Sequence, residues 1–103
     1  MTIVGDGEQR RDFTYVGDVV KANIFASQSD KVGSGDVINI GNGDSRSVNQ
    51  LADLIGGPRV NVEARLEPHQ TLADNKKAKE LLGWTPTVTL ENWVPSYKKE
   101  LGI

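Results

Sequence analysis

The stretch from Asp36 to Ala64, DVINIGNGDSRSVNQLADLIGGPRVNVEA, decides the fold class. Its first five residues, Asp36 to Ile40, form a short apolar run rich in β-branched side chains and read as a buried strand. Ser47-Val48-Asn49-Gln50 then has the pattern of a capping box, in which the serine oxygen takes an N–H at the helix start and Gln50 reaches back. Val48, Leu51, Ala52 and Ile55 fall at i, i+3, i+4 and i+7, one apolar helix face. Gly56 or Gly57 ends that helix in a left-handed cap. Val60 to Ala64 alternates as a second strand. Strand, crossover helix and strand make a βαβ unit, which requires parallel strands and a right-handed connection.

Outward from this unit the elements are short. Thr2 to Val4 is a β-type run closed by Gly5-Asp6-Gly7. Asp12 to Val16 alternates polar and apolar residues, as a strand does. Asp18 is a candidate N-cap for a helix running to about Ser27. Asp74 or Asn75 caps a short helix carrying Ala78, Leu81 and Leu82 and stopped at Gly83. Thr89 caps the last helix, with Leu90, Trp93, Val94, Tyr97 and Leu101 on one face. Pro95 lies beyond the first turn of that helix, which predicts a kink or a late start. The expected fold is α/β: residues 1–103 as one domain, with about four helices, three or four short strands and one βαβ unit.

Composition narrows the function. The 103 residues hold 12 Lys plus Arg, 14 Asp plus Glu, one His and no Cys, for a net charge of −2. With glycine counted and tyrosine left out, the apolar share is about 46%, ordinary for a globular domain. Without cysteine there is no disulfide framework, no thiol nucleophile and no cysteine-based zinc site. The slight negative charge argues against a nucleic-acid partner. No apolar run approaches the ~20 residues that span a bilayer, so no membrane role is expected. Met1 leads into a polar, Gly-rich stretch rather than a signal sequence, and the expected compartment is the cytoplasm.

Few residues are equipped for chemistry. Gly41-Asn42-Gly43 lies between strand and helix, where a dinucleotide fingerprint would sit, but the third small residue is replaced by Arg46. These glycines read as turn residues. In GDGEQRRD, Gly5 to Asp12, two arginines present planar donors that suit phosphate oxygens, and a solvated turn is the alternative. Neighbours on a strand point to opposite faces, so only one of Arg10 and Arg11 can meet a given ligand. Arg65 and Glu67, two residues apart, can bind a phosphate and a ribose hydroxyl, or form a surface ion pair. His69 stands alone and anchors no metal site. Trp84 and Trp93 read as core residues, and Lys76, Lys77 and Lys79 as a solvated helix face.

Four blocks in order, GDGEQRRDFTYVGDVV (Gly5 to Val20), VINIGNG (Val37 to Gly43), SVNQLADLI (Ser47 to Ile55) and TLADNKKAKELLGWTPTVTLE (Thr71 to Glu91), resemble the C-terminal, substrate-binding part of the extended short-chain dehydrogenases. These are NAD-dependent epimerases and dehydratases of nucleotide sugars, UDP-glucose 4-epimerase among them. The resemblance implies that Arg11 contacts the nucleotide diphosphate and that Glu67 binds the ribose. Arg65 would serve as a phosphate ligand, displaced by one position from the family's arginine.

The same resemblance implies NAD in the full-length family but none in this chain, because the Gly-x-x-Gly-x-x-Gly loop is missing. The catalytic Tyr-x-x-x-Lys is missing too: Tyr15 is followed four residues later by Val19, and Tyr97 by Leu101. A nearby lysine is what lowers the tyrosine pKa enough for base catalysis. No catalytic residue is therefore assigned. The chain reads as a truncated reading frame, an excised domain or one piece of a split enzyme. Three functions compete: a nucleotide-sugar-binding domain inactive alone, an enzyme completed by a Rossmann subunit in trans, and an interaction module that no longer binds ligand. The partners expected are a weakly bound nucleotide sugar and either the missing Rossmann half or a second copy, with a homodimer as the default. Its apolar contact patch is expected at Phe13, Tyr15 and the neighbourhood of Ile3, with Thr2 to Val4 as an unpaired edge.

Overall fold

In the computed structural model, which describes all 103 residues, Thr2–Val4 (β1) lies parallel to Val60–Val62 (β4), with Ile3 opposite Asn61. A second pair, Arg10–Arg11 (β2) and Arg46–Ser47 (β3), is antiparallel. The helices are Val16–Gln28 (α1), Val48–Ile55 (α2), Lys76–Leu82 (α3) and Leu90–Leu101 (α4). The fold is α/β with four helices and four short strands, as the hydrophobic patterning implies. No helix is long and apolar enough to cross a membrane.

The parallel partner of Val60–Val62 is β1, not Asp36 to Ile40. The β1–β4 ladder continues at both ends: Val60 N–H donates to the Met1 carbonyl and Gly5 N–H to the Val62 carbonyl. β1 is thus paired along one edge rather than free, and Ile3 is buried beneath it rather than part of an open patch. Asp36 to Ile40 joins no ladder. Its position is set by side chains, Ile38 and Ile40 packing on the cluster of Ala22, Ala78 and Trp84.

Local signals were met where both partners are close in sequence. Ser47 and Gln50 form the complete capping box of α2, and Thr89 caps α4 through the Asn92 N–H. Gly83 ends α3 in the left-handed conformation. α4 starts at Leu90 and runs through Pro95 without a late start. Asn75 precedes α3, but its side chain donates to the Gly41 carbonyl instead of capping. The strand expected over Asp12 to Val16 is absent, because Asp12 and Phe13 spend their polar groups on the loop at Asn42. α1 begins at Val16, so Asp18 lies inside its first turn and is not the cap.

The shape is a thin slab, 49 × 33 × 15 Å. Its radius of gyration is 16.2 Å, against about 13 Å for a compact chain of this length. The accessible surface, 6933 Å², exceeds by about 1,200 Å² what a compact monomer of this mass exposes. Only 12 residues are buried. There are 43 backbone–backbone hydrogen bonds, where a complete fold of this length makes about 70. All of these describe one layer with an uncovered face.

Candidate nucleotide-binding edge

Two carboxylates, one buried and one half-buried, hold the slab together. Asp18 is 1% exposed and accepts from the Thr87 hydroxyl at 2.7 Å, the Thr87 N–H at 2.9 Å and the Val88 N–H at 3.1 Å. Burial alone raises its carboxyl pKa. The Thr87 and Val88 hydrogen bonds and the charge of Lys21 outweigh that and hold it below the usual carboxylate range. The Asp18 carbonyl accepts from the Trp84 indole at 2.8 Å, so α1, the Trp84 core and the strap before α4 meet at one residue.

Asp12 fills the Gly41-Asn42-Gly43 turn. Its carboxylate accepts from the N–H groups of Asn42 at 3.0 Å, Gly43 at 2.9 Å and Ala73 at 3.1 Å. A Cβ on Gly41 would come within 2.5 Å of the Ala73 Cβ, so only glycine fits there. A strand-to-helix turn of this kind cradles a cofactor's pyrophosphate when its N–H groups are free. Here an internal carboxylate occupies them. The residues present do not fit NAD at this turn, and the two glycines are structural.

The paired arginines separate, as their positions on a strand require. Arg10 is committed internally, donating to the Ser45 hydroxyl at 3.1 Å and the Ser45 carbonyl at 2.7 Å. Arg11 turns the other way. One of its terminal nitrogens donates to the Arg10 carbonyl at 2.7 Å, and the other stands 3.7 Å from a Glu67 carboxylate oxygen. That is an ion pair beyond hydrogen-bond length, with both side chains partly open to water. Glu67 and Arg65 line an open groove of about 360 Å³ together with Val4, Gln9 and His69. The fold therefore brings Arg11 to Glu67 across 56 residues of sequence and seats Arg65 beside Glu67. Arg11 itself does not line the groove; it reaches the edge of the site through Glu67. His69 contributes its carbonyl to the Arg10 N–H, and no cluster of three metal-ligating side chains exists.

A second depression of about 320 Å³ lies on the opposite kind of surface, among Phe13, Tyr15, Leu51, Leu90 and Trp93. Trp84 is core as expected, but Trp93 is not: it is 36% exposed and stacks on Tyr97 with ring centroids 4.6 Å apart. The helix face it occupies has no second layer above it.

Comparison with known proteins settles the family. A family model described as GDP-mannose 4,6 dehydratase matches residues 1–97. The chain belongs to this family. It is a member of the NAD-dependent epimerases and dehydratases, as the four sequence blocks imply. It is 39% identical over 99 residues to a putative UDP-glucose 4-epimerase of Methanocaldococcus jannaschii, covering 89% of this chain and 31% of that one. The solved UDP-glucose 4-epimerase of Thermotoga maritima with UDP-glucose superposes with a TM-score of 0.81 at 38% identity, over 98% of this chain and 35% of that one. The UDP-glucuronic acid 4-epimerase of Bacillus cereus, in complex with UDP-glucuronic acid and NAD, gives 0.80 at 35% identity, over 97% and 35%. The chain spans about a third or less of the length of the relatives it matches.

Proposed function

We propose that this chain is the nucleotide-sugar-binding portion of an NAD-dependent epimerase or dehydratase, and that it binds a UDP-sugar weakly without turning it over. The observation that supports this is the arrival of Glu67 beside Arg11, with Arg65 at the same groove, in a family whose solved members hold UDP-glucose and UDP-glucuronic acid. Arg11 offers paired N–H donors to a diphosphate oxygen. Glu67 is an acceptor for ribose hydroxyls and moves off Arg11 when the phosphate arrives. Arg65 supplies a second positive charge at the groove. A pocket ordinarily buries most of its ligand, and this groove is open, so weak affinity is the expectation.

Turnover needs two parts that these 103 residues do not hold, the Gly-x-x-Gly-x-x-Gly loop and the Tyr-x-x-x-Lys pair. NAD-dependent chemistry is therefore expected only with a Rossmann unit supplied alongside. Calorimetry with UDP-glucose tests the reading. A charge-assisted hydrogen bond to phosphate contributes about 1.5–3 kcal/mol, so Arg11→Ala weakens binding about tenfold or more. Equal affinities in Arg11→Ala and the unchanged chain would remove Arg11 from the site. Micromolar NAD binding would contradict the assignment of the cofactor to another unit.

A further inference from the structure

Arg65 and Glu67 lie on a stretch that no core packing holds. No residue from Gly56 to Leu72 is buried, and Glu63 to Pro68 make no backbone–backbone hydrogen bond. The stretch is fixed only at its ends. β4 fixes one end through Val62, and the other is fixed just beyond Glu67. There the Arg10 N–H donates to the His69 carbonyl at 2.7 Å and the Arg10 carbonyl accepts the Thr71 N–H at 2.9 Å, which pairs Arg10 with Gln70 in a single parallel bridge. β2 is thereby flanked on both sides, by β3 and by residues 69–71.

Two further contacts act on this bridge. The Arg10 carbonyl that takes the Thr71 N–H also accepts from the Arg11 guanidinium at 2.7 Å. One oxygen therefore links the Glu67 stretch to the arginine that faces it. The Ser45 hydroxyl accepts from Arg10 Nε at 3.1 Å and from Gln70 Nε2 at 3.3 Å. Ser45 is buried, and its carbonyl takes a second Arg10 nitrogen at 2.7 Å. Strand register is weakly specified where no face is buried, and a slip of one residue turns every side chain to the other face. Such a slip here would carry Glu67 away from Arg11. The ties of Arg10 and Gln70 to one buried hydroxyl oppose it.

We propose that Ser45 and Gln70 are positioning residues for the nucleotide: acting with Arg10, they hold the Glu67 carboxylate opposite Arg11, so that ribose and diphosphate are read together. Neither has to touch the ligand. Arg11 sits on β2, paired with Arg46 of β3, and keeps its place when the Ser45 tie is lost. Glu67 has no such support. The expected signature is therefore selective, a loss of ribose recognition with diphosphate binding retained. The proposal rests on the nucleotide-sugar reading above and adds to it the residues that align the site.

Calorimetry with UDP and with 2′,3′-dideoxyuridine diphosphate, which lacks both ribose hydroxyls, tests it. The unchanged chain is expected to bind UDP about tenfold more tightly, as a hydrogen bond to a charged acceptor implies. Gln70→Met removes the amide from an exposed position, and Ser45→Ala removes the shared hydroxyl. In both variants the preference for UDP is expected to fall to about twofold or less, while affinity for the dideoxy nucleotide changes by less than about twofold. Gln70→Glu is expected to restore the preference, because the serine hydroxyl donates as readily as it accepts. Equal weakening of both nucleotides in Gln70→Met would show a merely structural role and overturn the proposal. So would an unchanged preference for UDP in that variant. No binding of UDP to the unchanged chain would instead overturn the nucleotide-sugar reading, and the proposal with it.

Discussion

Asp18 and Glu67 are both carboxylates facing a positively charged or donor-rich neighbour, and they behave as opposites. Asp18 is buried, accepts three hydrogen bonds and ties three elements together. Glu67 is exposed on a segment with no buried residue between Gly56 and Leu72, and its one partner is 3.7 Å away. Arg10 and Arg11 repeat the contrast one residue apart: the first is spent on Ser45, while the second gives one terminal nitrogen to the Arg10 carbonyl and holds the other 3.7 Å from Glu67. Groups whose valences are filled inside the chain hold the slab together. Groups left partly unfilled at one edge are those available to a ligand.

The largest expected effect lies on the Asp18 side. Asp18→Ala strands the Thr87 and Val88 donors, each costing about 1–3 kcal/mol, so a loss of more than ~3 kcal/mol is expected in chemical denaturation. A loss of less than ~1 kcal/mol would show that the strap before α4 is not held there. Acid should report the same residue. A carboxylate whose folded pKa is lowered contributes stability that is complete above its unfolded value near 3.9 and is lost as pH falls through the lower folded value. Melting temperature followed from pH 6 to pH 2.5 is expected to drop below about pH 4, and the part of that drop due to Asp18 is absent in Asp18→Ala.

Next in size is Asp12, the carboxylate that fills the Gly41–Gly43 turn. Asp12→Ala frees three N–H groups and is expected to destabilise by about 2–4 kcal/mol. It also sharpens the comparison, because the emptied turn becomes open to anions: phosphate should raise the melting temperature of this variant more than that of the unchanged chain. A smaller effect, about 1 kcal/mol, is expected for Ser47→Ala, which removes one half of the α2 capping box. Glu67→Ala should be nearly silent in stability, as exposed ion pairs contribute only about 0–1 kcal/mol.

What the sequence made legible follows the same division. Ser47 with Gln50, Thr89 with Asn92, and the stop at Gly83 were readable because each signal acts within four residues. The four helices and the α/β class followed from apolar spacing. The roles of Asp12 and Asp18 were not readable, because their partners lie 30 to 70 residues away and a carboxylate beside a helix start looks like a cap. The pairing of β1 with β4 was hidden for the same reason: DVINI has the stronger strand composition, but Thr2–Val4 wins the Val60–Val62 edge. Ile3 and Trp93 exchanged places, the first buried under the β1–β4 ladder and the second on the open face. Arg11 and Glu67 were named through family likeness, and their proximity is what the fold adds.

The central claim is that the unfilled edge, and not the filled interior, receives a nucleotide sugar. Amide chemical shifts followed during titration with UDP-glucose test it most directly. The account predicts saturable shifts at Arg11, Arg65 and Glu67, with Asp12, Asp18 and Thr87 unmoved, and loss of those shifts in Arg11→Ala. Shifts confined to the Phe13, Leu51 and Trp93 depression, or no shifts at millimolar ligand, would contradict it.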